Sequence, residues 1–173
     1  MEAVLHASQA VCISEYYADM NMNQKRPLTL FVGRFSGPGD VYCSIINLDF
    51  SDFLTMIPPN AVIRQAYLHL NVTRNDLKSG AVTVGLYRCL EHWNPVSVSW
   101  RNQPGTERTP QKIFSIPGRW KGITLVEMTD LVQSWLKSDV PHYGYMIRGE
   151  EMNDRLIGFV PEVSIRVIFS ATS

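Results

Sequence analysis

The chain has 173 residues, 45% of them hydrophobic and 18% charged, the size and make-up of one globular domain able to bury a core of its own. Lysine plus arginine balance aspartate plus glutamate, 16 against 16, so charge gives no ground for a nucleic-acid or anionic-membrane partner. No stretch has the length of a membrane span. The opening run MEAVLHASQAVCISEYY also lacks the basic and apolar regions of a secretory signal, which leaves either a mature-numbered chain or export by another route.

Residues 1–10 contain no turn residues and are read either as an N-terminal extension able to add to a neighbouring sheet edge as a donated strand, with Val4 and Leu5 as its apolar contacts, or as an ordinary first strand or frayed end. Residues 11–173 are read as a single domain. Cys12, Cys43 and Cys89 are odd in number and too widely spaced for a zinc site. Two readings stand: three buried thiols, or a Cys12 that bonds a neighbouring subunit.

Period-two alternation follows. In IINLDF the apolar Ile46, Leu48 and Phe50 point one way; in AYLHLNVT the series Ala66, Leu68, Leu70 and Val72 alternates with Tyr67, His69, Asn71 and Thr73. TVGLY around Leu86, VSVSW with Val96, Val98 and Trp100, and SIRVIF with Ile165, Val167 and Phe169 read the same way. The turns SGPGD, IPPNA, NDLKSG, NQPGTE and IPGRW separate them. Short strands punctuated in this way predict an all-β fold, an antiparallel two-sheet sandwich or a barrel. One short helix is expected near residues 129–137, in MTDLVQSWLKSD, capped by Thr129, with Val132, Trp135 and Leu136 on one face and Pro141 as its stop.

The order of motifs resembles the DNRLRE-type domains of bacteria and archaea, a family related to disaggregatase domains and to carbohydrate-binding modules attached to some polysaccharide lyases. ISEYY and LFVGR are similar to its opening strands. INLDFSDF, IPPNAVIRQAYLHL and VGLYRCLEHWNPVSVSWRNQP resemble its central block, MTDLVQSWL with PHYGYMIRG its helix and penultimate strand, and DRLIGFVPE the approach to its last strand. The chain departs from the pattern at Ala10, Val11 and Cys12, where the family has Asp-Thr-Tyr, and mildly at Glu127, Met128 and Thr129. The resemblance implies a jelly-roll β-sandwich and an extracellular, cell-surface or spore-surface location, and it fixes no ligand.

Trp93, Trp100, Trp120 and Trp135 fall where the family pattern is aromatic, so they are expected in the core. A sugar-stacking platform is then sought among outward residues: Tyr67, Tyr87 and Tyr143, with His69 beside Tyr67, and Tyr16 and Tyr17 near the N-terminus. The four histidines are dispersed and no nucleophile, dinucleotide or phosphate motif is present, so the chain is read as a non-enzyme. Glu150, Glu151 and Asp154 form an acidic loop, read as solvated or as a calcium site, and no other cofactor is expected. Asn71 heads an N-V-T sequon that only a eukaryotic secretory route would use.

Two functions follow. The first is a self-assembling subunit of a surface appendage, filament or coat, polymerised with copies of itself by strand addition through Val4 and Leu5 and through Cys12. The alternative is a module that binds a polysaccharide on the tyrosine-bearing face.

Overall fold

The computed structural model describes residues 1–26, 28–138 and 142–171. The described residues form β1 (Glu2–Ser14), β2 (Leu30–Arg34), β3 (Val41–Leu48), α1 (Phe50–Met56), β4 (Val62–Asn75), β5 (Ala81–Arg88), β6 (Lys112–Pro117), β7 (Gly122–Glu127), α2 (Thr129–Trp135), β8 (Tyr145–Arg148), β9 (Ile157–Phe159) and β10 (Ser164–Ser170). This is the antiparallel all-β sandwich that the alternation predicts. One sheet runs β1–β10–β4, and β4 then meets β7 through Tyr67–Val72 and β9 through Val72–Asn75. The other runs β1–β3–β8–β5–β6.

Two strands belong to both sheets. Glu2–His6 of β1 pairs with β10, and a bulge between Ala7 and Gln9 then turns the strand so that Gln9–Ser14 pairs with β3. β2 closes the opposite side, pairing with β9 and then, through Gly33 and Arg34, with β3. Between the sheets lies the main core, where Ala66, Leu68, Leu70 and Val72 of β4 meet Leu30, Ile46, Leu86, Ile147 and Phe159. Ile165, Val167 and Phe169 of β10 complete it.

Residues 1–10 are therefore no extension. Their pairing partners are β10 and β3 of the same chain, and Leu5 is 1% exposed in the main core while Val4 is half-buried. Cys12, Cys43 and Cys89 are free, buried thiols. Burial pushes Cys12 up to about 11 and Cys43 and Cys89 to about 12. A thiol inside the domain cannot reach a neighbouring chain, so Cys12 is not placed to link subunits.

Over β1, β3 and β8 the second sheet is apolar on both faces. Its outer side carries Val11, Ile13, Val41, Cys43, Ile45 and Met146, and these are roofed by Cys89, Trp93 and Val98 with Trp100 and Tyr143 at the margin. The roof is the stretch read from its alternation as the strand VSVSW. It is instead a turn-bearing cover, because asparagines satisfy its backbone in place of a ladder. Asn94 Oδ1 accepts the Val96 N–H (3.0 Å), Asn102 Oδ1 accepts the Ser99 N–H (2.6 Å), and Asn21 Nδ2 donates to the Pro95 and Val98 carbonyls (2.9 and 2.8 Å). Val96 is consequently 66% exposed while Val98 is buried.

Two further differences lie at one end of the sandwich. β3 stops at Leu48, and Phe50 opens α1 rather than continuing the strand, because Asp49 Oδ1 accepts from the Asp52 N–H (3.3 Å) and caps a helix that buries Phe53. Thr129 does not cap α2. Its hydroxyl oxygen accepts the Ala66 N–H of β4 (3.1 Å), and Met128 holds the cap position. Pro141, the expected stop, lies outside the described residues, and the cap of α2 falls at Leu136.

The helices enclose an aromatic cluster. His142 stacks on Phe50 with ring centres 3.7 Å apart and meets Trp135 and Tyr145 edgewise at 5.9 and 5.2 Å. Burial, helped by the nearby Arg88 charge, pulls His142 down from 6.5 to about 4. The unfolded chain therefore binds one more proton than the folded chain between those values, and stability is full above about pH 6.5 and falls as pH drops toward about 4. The loss is on the order of 3 kcal/mol. Urea titrations across this range should show it, and His142→Phe should remove that part of the slope. Deleting residues 1–10 takes Leu5 out of the core and should lower stability by at least about 2 kcal/mol, read as a fall in the thermal midpoint. Ellman's reagent should label the cysteines only after denaturant is added.

Candidate functional site: the open face of the first sheet

The roof covers β1, β3 and β8 of the second sheet and leaves its β5–β6 margin exposed at Thr83, Ile113 and Ser115, while the outer side of the first sheet is an open β-surface across β1, β10, β4 and β7. Register fixes what it carries, since directly opposed residues in antiparallel strands share a face. One row is Val4, Arg166, Tyr67 and Glu127, contributed in turn by β1, β10, β4 and β7. The next is His6, Ser164, His69 and Leu125. Glu2, Ile168 and Gln65 extend the surface on one side, and Asn71 with Ile123 on the other. Leu125 is 56% exposed, and Ile123 and Ile168 are likewise open.

Around the first of these rows the surface dips. Glu2, Gln65, Tyr67, His69, Arg166 and Ile168 line a hollow of about 210 Å³. The Arg166 guanidinium donates to a Glu2 carboxylate oxygen at 2.8 Å, with both side chains more than half exposed. An exposed pair of this kind is held weakly, so each group can turn to a ligand at little cost. The hollow thus offers a ring and hydroxyl from Tyr67, an imidazole, an amide, a guanidinium and a carboxylate, set among apolar side chains. Such a surface can stack a sugar ring and bond its hydroxyls.

The residues sought from the sequence divide. Tyr67 and His69 come together here. Tyr87 and Tyr143 belong to the second sheet's covered side, with Arg148 lying over the Tyr87 ring at 4.8 Å and the Tyr143 carbonyl accepting the Trp93 indole N–H at 2.6 Å. They share no face with Tyr67. Tyr16 and Tyr17 are exposed and meet edge to face, ring centres 4.9 Å apart, in the segment after β1. Trp93 and Trp135 are core residues, each 6% exposed, and Trp100 sits half-buried at the roof margin.

Trp120 is not a core residue. It is 44% exposed on the β6–β7 turn, with its indole N–H donated to Thr124 Oγ1 at 3.1 Å. Among the described residues β7 pairs with β4 alone, and no further strand lies beside the indole. Gln65, Arg166, Ile168, Ile123 and Leu125 were missed. Their signal was available: SIRVIF puts Arg166 and Ile168 opposite its inward series, and GITLVE is apolar on both faces.

Of the acidic loop, Glu150 is engaged by Arg155 at 2.9 Å, Glu151 is exposed, and Asp154 adopts a left-handed backbone with φ of 60°. Among the described residues no three acidic, histidine or cysteine groups converge as metal ligands. Asp154 instead lines a polar cleft of about 620 Å³ with Lys78, Arg119 and Arg155, and no aromatic ring contributes to its wall. No described helix is long and apolar enough to cross a membrane.

A family model described as carbohydrate-binding module family 96 matches residues 48–162, more than half of the chain, and the chain belongs to this family. The match supports the carbohydrate-binding side of the resemblance stated above, not the DNRLRE-type designation. It includes Tyr67, His69 and β7, while Glu2, Arg166 and Ile168 lie beyond it. No curated protein matches the sequence. The tryptophan assignments are checked by truncation: Trp93→Ala should cost about 3–5 kcal/mol in chemical unfolding, and Trp120→Ala well under half of that.

Proposed function

We propose that the chain is a non-catalytic module that binds a polysaccharide on the outer face of its first sheet, with Tyr67 and His69 at the centre of the footprint and Gln65 and Arg166 as hydrogen-bonding neighbours. The observation that carries this reading is the pairing register, which sets these four side chains together on one exposed sheet face. Membership of a carbohydrate-binding family supports the ligand class. Such a module acts where its polysaccharide is, outside the cell or on its surface, and within one domain. The filament reading has lost its supports, since the segment holding Val4 and Leu5 pairs with β10 of its own chain and Cys12 is buried.

Affinity electrophoresis in gels containing soluble polysaccharides tests the proposal. Tyr67→Ala should weaken retardation by roughly 3- to 10-fold, the amount expected of one aromatic contact. His69→Ala should weaken it less, and Tyr87→Ala not at all. Full retention by Tyr67→Ala, or loss on Tyr87→Ala in a folded protein, would reject the open face as the site.

A further inference from the structure

We infer that the aromatic end of the sandwich holds a second, separate ligand site, a pocket for one neutral sugar ring walled by His142, Trp135, Tyr145 and Gln111. This rests on the carbohydrate-binding reading for its ligand class but shares no lining residue with the Tyr67 hollow.

The geometry begins with the imidazole. His142 Nδ1 accepts the Gly144 N–H at 3.1 Å, so in the neutral ring the proton sits on Nε2. That Nε2 is buried and has no hydrogen-bond partner among the described residues. A buried donor without a partner is costly, and the ring is not free to turn away from it. The stack on Phe50 and the contacts with Trp135 and Tyr145 hold its plane. Gly144 is equally fixed: its backbone has φ of 88°, and a Cβ there would lie 2.2 Å from the Ile46 carbonyl oxygen.

His142 lines two adjoining hollows, of about 270 and about 170 Å³. Around the larger one runs a chain of oriented polar groups. Trp135 Nε1–H donates to the Tyr145 hydroxyl oxygen at 3.1 Å, and Tyr145 donates to Gln111 Oε1 at 2.6 Å. Gln111 Nε2 donates to Glu107 at 3.3 Å, and Glu107 also accepts from Arg88. The wall therefore presents both donors and acceptors beside the rims of two aromatic rings.

Two features restrict the ligand. Arg88 and Glu107 neutralise each other and His142 is uncharged at neutral pH, so nothing in the wall selects an ion. The volume falls below the range of drug-sized ligand pockets, which leaves room for a single ring. A neutral polyhydroxylated ring matches this mixture of apolar rims, donors and acceptors.

Nuclear magnetic resonance on the full chain tests the site, with glucose, galactose, mannose and xylose as probes. At least one sugar should shift the Trp135 indole N–H and the His142 ring nitrogens saturably, leaving the Trp120 indole unmoved as an internal reference. His142→Phe keeps a ring over Phe50 but deletes the donor and should abolish the response. Gln111→Leu, which removes the acceptor of the Tyr145 hydroxyl, should weaken it several-fold in a chain whose amide spectrum shows it folded. Tyr67→Ala should leave it intact even where it abolishes polysaccharide retardation, which separates failure of this site from failure of the open face. No saturable shift with any of the four sugars, an undiminished response in both pocket variants, or loss of the response in Tyr67→Ala would overturn the inference.

Discussion

The loop carrying Trp93 and Val98 over the second sheet is the contact on which the functional anatomy depends. Strands with apolar side chains on both faces have to be covered on both, and for β1, β3 and β8 the main core covers one side and Cys89, Trp93 and Val98 the other. The Trp93 indole N–H ends on the Tyr143 carbonyl, so the largest side chain of the roof is anchored as well as buried. Because the roof covers β1, β3 and β8 of the second sheet, the sheet surface left for a partner is the outer face of the first sheet and the β5–β6 margin of the second, where Thr83, Ile113 and Ser115 are exposed. The side chains on the first sheet's outer face follow from the pairing of β1, β10, β4 and β7.

The strands that switch sheets join these two halves. β1 contributes Glu2 and Val4 to the open face, bulges near Ser8, and then sends Val11 and Ile13 under the roof. A single strand thus takes part in the ligand-facing surface and in the second core. This is why the N-terminal residues serve the domain and are not spare chain available to a neighbour. The helices complete one end, where Phe50, Phe53 and Trp135 pack edgewise on one another.

Much of this was legible in the sequence wherever period two was strict and one face was apolar. Ala66, Leu68, Leu70 and Val72 gave the direction of β4, and with it the outward placement of Tyr67 and His69. Alternation failed as a guide in VSVSW, where valine and serine take turns as in a strand but Asn94, Pro95 and Asn102 offer the backbone local partners that outcompete a ladder. It failed at Phe50 for a similar reason, since Asp49 offers a helix cap inside an apparently continuous strand. Whether an outward tyrosine is open or roofed depends on contacts distant in sequence. Tyr67 and Tyr87 have equivalent local surroundings, and only tertiary packing separates them. Arg166 reaches the candidate site from about a hundred residues along the chain, through a pairing that no local pattern specifies.

The central claim is that the open face of the first sheet is the surface that meets a polysaccharide. Backbone amide shift mapping with an oligosaccharide drawn from a polysaccharide that retards the protein tests it most directly. The account predicts perturbations concentrated at Gln65, Tyr67 and His69 on β4, at Arg166 and Ile168 on β10, and at Ile123 and Leu125 on β7. Perturbations confined to the roof around Trp93 and Trp100, or to the charged cleft of Lys78 and Arg119, would contradict it.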